Sequence, residues 1–121
     1  MNALKLSLAC LASAVLAAAA PAQAHGKLLA SEPVDAAFLT QTPAHLRLTF
    51  SEAPELAFSK VTLAGANDVA IALSKPQVAA SDAKTIDVDV PPLKAGDYQV
   101  QWSIMTRDGH KTHGKFGFKV N

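Results

Sequence analysis

Two short stretches of this 121-residue chain hold donor atoms that can act together. The first is His25. It follows Pro21-Ala22-Gln23-Ala24, where small residues at Ala22 and Ala24 give the A-x-A pattern of a leader cleavage site. A cut after Ala24 makes His25 the first residue. Its α-amine and its imidazole Nδ1 then chelate one metal ion as a pair, an arrangement that only an N-terminal His offers. Both donors are nitrogens, which suits Cu(II), and Gly26 leaves room for the ion. The competing reading is an unstructured His at the start of an exported chain. The second stretch is Asp108-Gly109-His110. In extended chain, residues two apart face one side, roughly 6.5–7 Å apart at Cα, so a carboxylate and an imidazole can converge on one ion. Against this, Asp-Gly is a common hairpin-turn pair, with His110 simply exposed.

The other candidate donors are weaker. His113 lies three residues beyond His110 and can line the same loop as a supporting group. His45 opens an alternating run and reads as a surface residue. After residue 24 the chain has one Met, Met105, and no Cys. A soft Cu(I) site needs several thioether or thiolate ligands, so this chain cannot build one alone. There is no Gly-rich phosphate loop, no paired Cys or His doublet of zinc type, and no Ser in a nucleophile-elbow context.

The elements that must position these donors read as strands. Leu46, Leu48 and Phe50 alternate with polar residues; so do Ile86, Val88 and Val90, then Tyr98, Val100, Trp102 and Ile104, then Phe116, Phe118 and Val120. Weaker strand candidates are 27–30, 58–63 and 69–73. Pro33, Pro43, Pro54, the Gly65–Asp68 run, Pro76, Pro91-Pro92 and Gly96 punctuate the runs. Seven short strands of this kind predict an all-β fold, a Greek-key β-sandwich of immunoglobulin or cupredoxin type. Trp102 belongs to its core. The segment Gln77–Ala83 is too short to assign.

Residues 1–24 carry the plan of a secretory signal peptide: Lys5, an apolar run from Leu6 to Ala20, and the Ala24 cut site. The run falls short of the ~20 residues that span a bilayer. Cys10 has Ser7 three residues before it, which does not fit a lipidation signal. The expected mature domain is therefore residues 25–121. With 11 basic and 10 acidic residues, the chain has a formal net charge of +1. That composition gives no support to nucleic-acid or anionic-membrane binding.

These pieces together resemble the periplasmic CopC-type copper-resistance proteins. The likeness spans nearly all of residues 25–121. It rests on the initial His25, on Ser31-Glu32-Pro33-Val34-Asp35, and on the strand from Pro43 to Phe50-Ser51-Glu52. It continues through Ala95-Gly96-Asp97-Tyr98-Gln99-Val100-Gln101-Trp102 and closes with Asp108-Gly109-His110 and Gly114-x-Phe116-x-Phe118-x-Val120. The resemblance implies a sandwich that binds Cu(II) through the amine and imidazole of His25, with Asp108 and His110. It also implies that the N-terminal strand lies beside the loop after the Trp102 strand. A membrane copper transporter is the companion it suggests, and the chain is taken as a monomer. Two departures stand out. The mid-chain stretch 64–77 has no Met, unlike members with a Met-rich Cu(I) segment. Lys111 stands where the family's D-x-H motif is usually followed by Pro.

The leading reading is a periplasmic Cu(II) chaperone or buffer that chelates and does not catalyse. A second reading is a small copper oxidoreductase with a histidine brace. A short chain leaves little surface for a polymer substrate, and a carboxylate ligand would fill the position oxygen needs. A third is a metal-free sandwich interaction module.

Overall fold

Alternating apolar residues bury one face of each run and leave the other wet, and the computed structural model assembles these runs into two sheets. It describes residues 26–121; the segment 1–24 expected to be a signal peptide, and His25, lie outside the described residues. The strands are β1 (Leu28–Glu32), β2 (Ala37–Leu39), β3 (His45–Phe50), β4 (Lys60–Ala64), β5 (Ala70–Ile71), β6 (Gln77–Ala79), β7 (Asp82–Asp89), β8 (Gly96–Met105) and β9 (Lys111–Val120). One sheet has the order β1-β3-β7-β6 and the other β2-β9-β8-β4-β5. Neighbours are antiparallel except β2, which runs parallel to β9. No helix among the described residues is long and apolar enough to cross a membrane.

The fold is the predicted all-β sandwich, with nine strands among the described residues rather than seven. The two extra strands are β2 and β6, each three residues long. Neither is long enough to display a period. β2 exists because it pairs with β9, 81 residues further on (Ala37 with Phe118), and β6 because the chain doubles back onto β7. The unassigned segment 77–83 is thus β6 and the start of β7. Residues Leu56–Phe58 form a single 3-10 turn instead of opening a strand, and β4 begins at Lys60. Ser59 ends that turn by donating its hydroxyl to the Glu55 carbonyl at 2.7 Å.

The core lies between the sheets. Leu46, Leu48 and Phe50 of β3 meet Val100, Trp102 and Ile104 of β8, with Phe116, Phe118 and Val120 of β9 alongside. The Phe50 and Trp102 rings pack edge to face with centroids 5.1 Å apart. On the outer face of the first sheet, Arg47 grips Asp87 with two bonds of 2.7 and 3.1 Å across the β3–β7 pair. That pairing holds the Asp87 carboxyl below its usual range.

The β8–β9 hairpin is the frame of the molecule. Its ten residue pairs run from Gly96↔Val120 to Met105↔Lys111 without a shift in register. Inside it, Trp102 faces Gly114. A Cβ at Gly114 would lie 2.6 Å from Trp102 Cζ2, closer than carbon atoms approach. We therefore expect Gly114→Ala to destabilise the fold by ~1–3 kcal/mol through overpacking. Urea unfolding followed by the fluorescence of Trp102, the single Trp, measures this; an unchanged midpoint would contradict the packing described.

Candidate metal centre

The turn that joins β8 to β9 carries Asp108 and His110. The Thr106 amide donates to the His110 carbonyl at 2.9 Å, and the Gly109 amide donates to the Thr106 carbonyl at 2.9 Å. Gly109 has φ +85°. This is a three-residue hairpin loop: a β-turn through Arg107 and Asp108, then a glycine in the left-handed region. A Cβ is disfavoured at that φ, so the Gly of Asp-Gly-His serves the backbone.

The turn, and not an extended strand, brings the two side chains together. His110 Nδ1 lies 2.8 Å from Asp108 Oδ2. Thr106 Oγ1 donates a hydrogen bond to Asp108 Oδ1. Thr106 is a buried residue, so its hydroxyl is fixed from below while the carboxylate faces outward. The Asp108 carboxyl is pulled down to about 2, first by the Thr106 hydroxyl and then by His110. An ionised carboxylate only accepts hydrogen bonds, so His110 Nδ1 carries the proton in this contact. Nε2 is then the imidazole nitrogen that bears the lone pair and would meet a metal. Each carboxylate oxygen has two lone-pair sites, so Asp108 can accept the Thr106 bond and also coordinate. Coordination of one ion together with Nε2 requires the Nδ1 contact to open, because the two ring nitrogens point away from each other.

The N-terminal end of the described chain comes to the base of this turn. Gly26 is buried, with φ +68°. Its carbonyl accepts a 2.7 Å bond from Thr112 Oγ1. A Cβ on Gly26 would lie 2.8 Å from Thr112 Oγ1 and 3.3 Å from Thr106 Cγ2. From there Lys27 exchanges bonds with Ser51: the Lys27 amide donates to Ser51 Oγ at 2.9 Å and the Ser51 amide to the Lys27 carbonyl at 2.8 Å. The chain then enters β1 beside β3. Gly26 is thus pinned against the two threonines that flank the Asp108–His110 turn. Sequence reasoning missed both threonines, because neither is a metal donor and nothing in their spacing marks them.

Asp108 and His110 are thus brought together, and His25 lies outside the described residues. Among the described residues no group of three or more His, Cys, Asp or Glu side chains could hold a metal ion. His113 occupies a different place. It sits in β9 opposite Ser103, exposed on the outer face of its sheet. His45 is half-buried at the start of β3, opposite Asp89. Met105 ends β8 on the outer face, half-buried and opposite Lys111.

Comparison with known proteins agrees with this architecture. The CopC domain family model matches residues 28–121. The chain is 34% identical over 98 residues to "Protein YobA" of Escherichia coli K12, covering 80% of this chain and 79% of that one. It is 31% identical over 109 residues to "Copper resistance protein C" of Xanthomonas campestris pv. juglandis, covering 85% of each. The crystal structure of PcoC, a methionine-rich copper resistance protein from Escherichia coli, superposes with a TM-score of 0.73 at 28% identity. That match covers 81% of this chain and all of the other.

The Thr106 bond has a measurable consequence. Asp108 titrates below its ordinary value of 3.8 when folded, so its ionised form favours the folded state. That contribution is present above pH 3.8 and is lost as pH falls through about 2. Thr106→Val removes the largest cause and should move the Asp108 pKa up toward 3.8, as read by carboxyl 13C NMR titration. An unchanged titration would show that the hydroxyl does not hold the carboxylate.

Proposed function

This chain belongs to the CopC family, and from that membership we propose that it is a periplasmic copper-resistance protein that binds Cu(II) and carries or buffers it. The observation that supports the reading best is the meeting of Gly26 with Thr106 and Thr112. In sequence, residue 25 is joined directly to this glycine, which touches the base of the Asp108–His110 turn.

In this reading the leader is removed after Ala24. His25 supplies its α-amine and Nδ1, His110 supplies Nε2, and Asp108 supplies a carboxylate oxygen. Three nitrogens and one oxygen suit the tetragonal preference of Cu(II). The soft ligands that Cu(I) prefers are scarce, since Met105 is the single Met after the leader. Before the ion binds, Asp108 holds the ring of His110 through Nδ1. The two ring nitrogens point to opposite sides, so that contact opens when the carboxylate and Nε2 take the same ion. The donors fill the metal's plane, so the mechanism is chelation and release, not turnover. A copper transporter in the membrane is the donor or acceptor in this reading.

Two outcomes follow for Cu(II) titrated against a competing chelator. Protein starting at His25 should bind one ion tightly, and one extra residue before His25 should weaken binding by about a hundredfold or more, because the amine becomes an amide. Affinity should also fall in acid. The imidazoles, with pKa near ~6.5, and the amine, near ~7.7–8, must lose their protons before they coordinate. Equal, weak binding by both forms would remove the N-terminal brace from the account.

A further inference from the structure

The outer face of the β4–β8–β9 sheet carries a charge pattern that copper chelation leaves unused. Along β9, every outward residue but one is basic: Lys111, His113, Lys115 and Lys119, with Gly117 the exception. Lys60 of β4 joins them, because Lys60, Ser103 and His113 form one row across the three strands. The next row is Thr62, Gln101 and Lys115. These two rows surround a cleft of about 600 Å³ with no acidic residue in its lining. On the outward positions of the three strands the one carboxylate is Asp97. Among the described residues the ion pairs lie elsewhere: Arg47–Asp87, Arg107–Glu55 and His110–Asp108. The opposite sheet has the reverse bias, with Glu32, Asp87 and Asp89 in register around Arg47 and His45.

Clustering like charges on one face of a sheet opposes folding. In a chain of net charge +1 it also requires segregation of charge between the two faces. Such segregation orients a charged partner during encounter. The basic ladder from Lys111 to Lys119 is about 27 Å long at the strand rise. A small anion meets one or two of its charges, whereas an extended carboxylate-bearing chain meets them all. The acidic face of a second copy is a poorer match, because Arg47 neutralises Asp87 at its centre. The cleft also has a place relative to the turn. Its Ser103–His113 row is two residues along the hairpin from Met105–Lys111, the pair that closes onto Asp108–His110. That is about 7 Å.

We propose that this face docks an acidic polypeptide segment of a protein that gives or takes copper, seating its carboxylates on Lys60, His113 and Lys115 beside the metal turn. The role in copper transfer rests on the proposed function; the docking chemistry does not. The test uses 15N-labelled, copper-free protein, with a synthetic hexaglutamate peptide as probe at physiological salt. The amides of Gln101, Ser103, His113 and Lys115 should shift together and saturate. The double variant K60E/K115E should lose that binding by about tenfold or more, as expected for paired charge reversals. K60Q/K115Q, which adds no new charge, should lose it partly. Cu(II) affinity should be the same in all three proteins, since none of the changes touches the chelating residues. Scattered shifts, or equal binding by K60E/K115E, would overturn the proposal. So would equal perturbation by inorganic phosphate, which would reduce the face to an ion atmosphere. Binding to phosphatidylglycerol vesicles without peptide binding, or self-association in sedimentation, would assign the face to a membrane or a second copy instead. Failure of wild-type protein to bind Cu(II) would remove the copper reading and leave the peptide result standing.

Discussion

The buried hydroxyl of Thr106 decides the geometry at the β8–β9 turn of this sandwich. It reaches from the residue just past β8 to the Asp108 carboxylate, and Asp108 in turn orients His110. The backbone reinforces the same arrangement, since the Thr106 amide closes the turn onto the His110 carbonyl. Thr106 also forms a bridge with Pro54 and lies against Gly26. One residue therefore ties the hairpin tip to the loop after β3 and to the N-terminal end of the described chain. The rigid element is the hairpin, and Asp108 and His110 project from its turn.

Much of this was legible in the sequence. Alternation over six to ten residues marks strands whose two faces differ, and β3, β7, β8 and β9 are of that kind. β2 and β6 were not legible, because three residues show no period and their pairing is set by partners remote in sequence. The Asp108-Gly109-His110 pattern was legible as a metal-donor candidate, yet the reason for its convergence was misplaced. Extended geometry would leave the two side chains ~6.5–7 Å apart at Cα. The β-turn with Gly109 at φ +85° instead brings Oδ2 and Nδ1 to 2.8 Å. The hairpin-turn reading of Asp-Gly and the donor reading of Asp-x-His are thus both true of the same residues. Thr106 and Thr112 left no trace in the pattern, because their roles arise from where the fold brings Gly26.

The scarcity of thioether and thiol groups separates this chain in composition from a methionine-rich one. The structure of PcoC is described as that of a methionine-rich protein, whereas this chain has two Met residues in all, one of them Met1. In the proposed reading, nitrogen and oxygen donors suit Cu(II), and release is by the approach of a competing set of donors. A site at the tip of a hairpin is open to such an approach. The basic face running away from that tip gives a partner a surface on which to align, with charge supplying orientation and the donors supplying the exchange.

The central claim is that copper sits where the Asp108–His110 turn meets the start of the mature chain. Paramagnetic Cu(II) broadens the amide signals of nearby residues, so a 15N NMR spectrum recorded during substoichiometric addition maps the ion directly. The account predicts that Gly26, Thr106 and the residues from Asp108 to Thr112 vanish first, while Val78, Ile86 and Val88 in the other sheet keep their intensity. Broadening centred on His45 or on His113, with the turn left sharp, would contradict it.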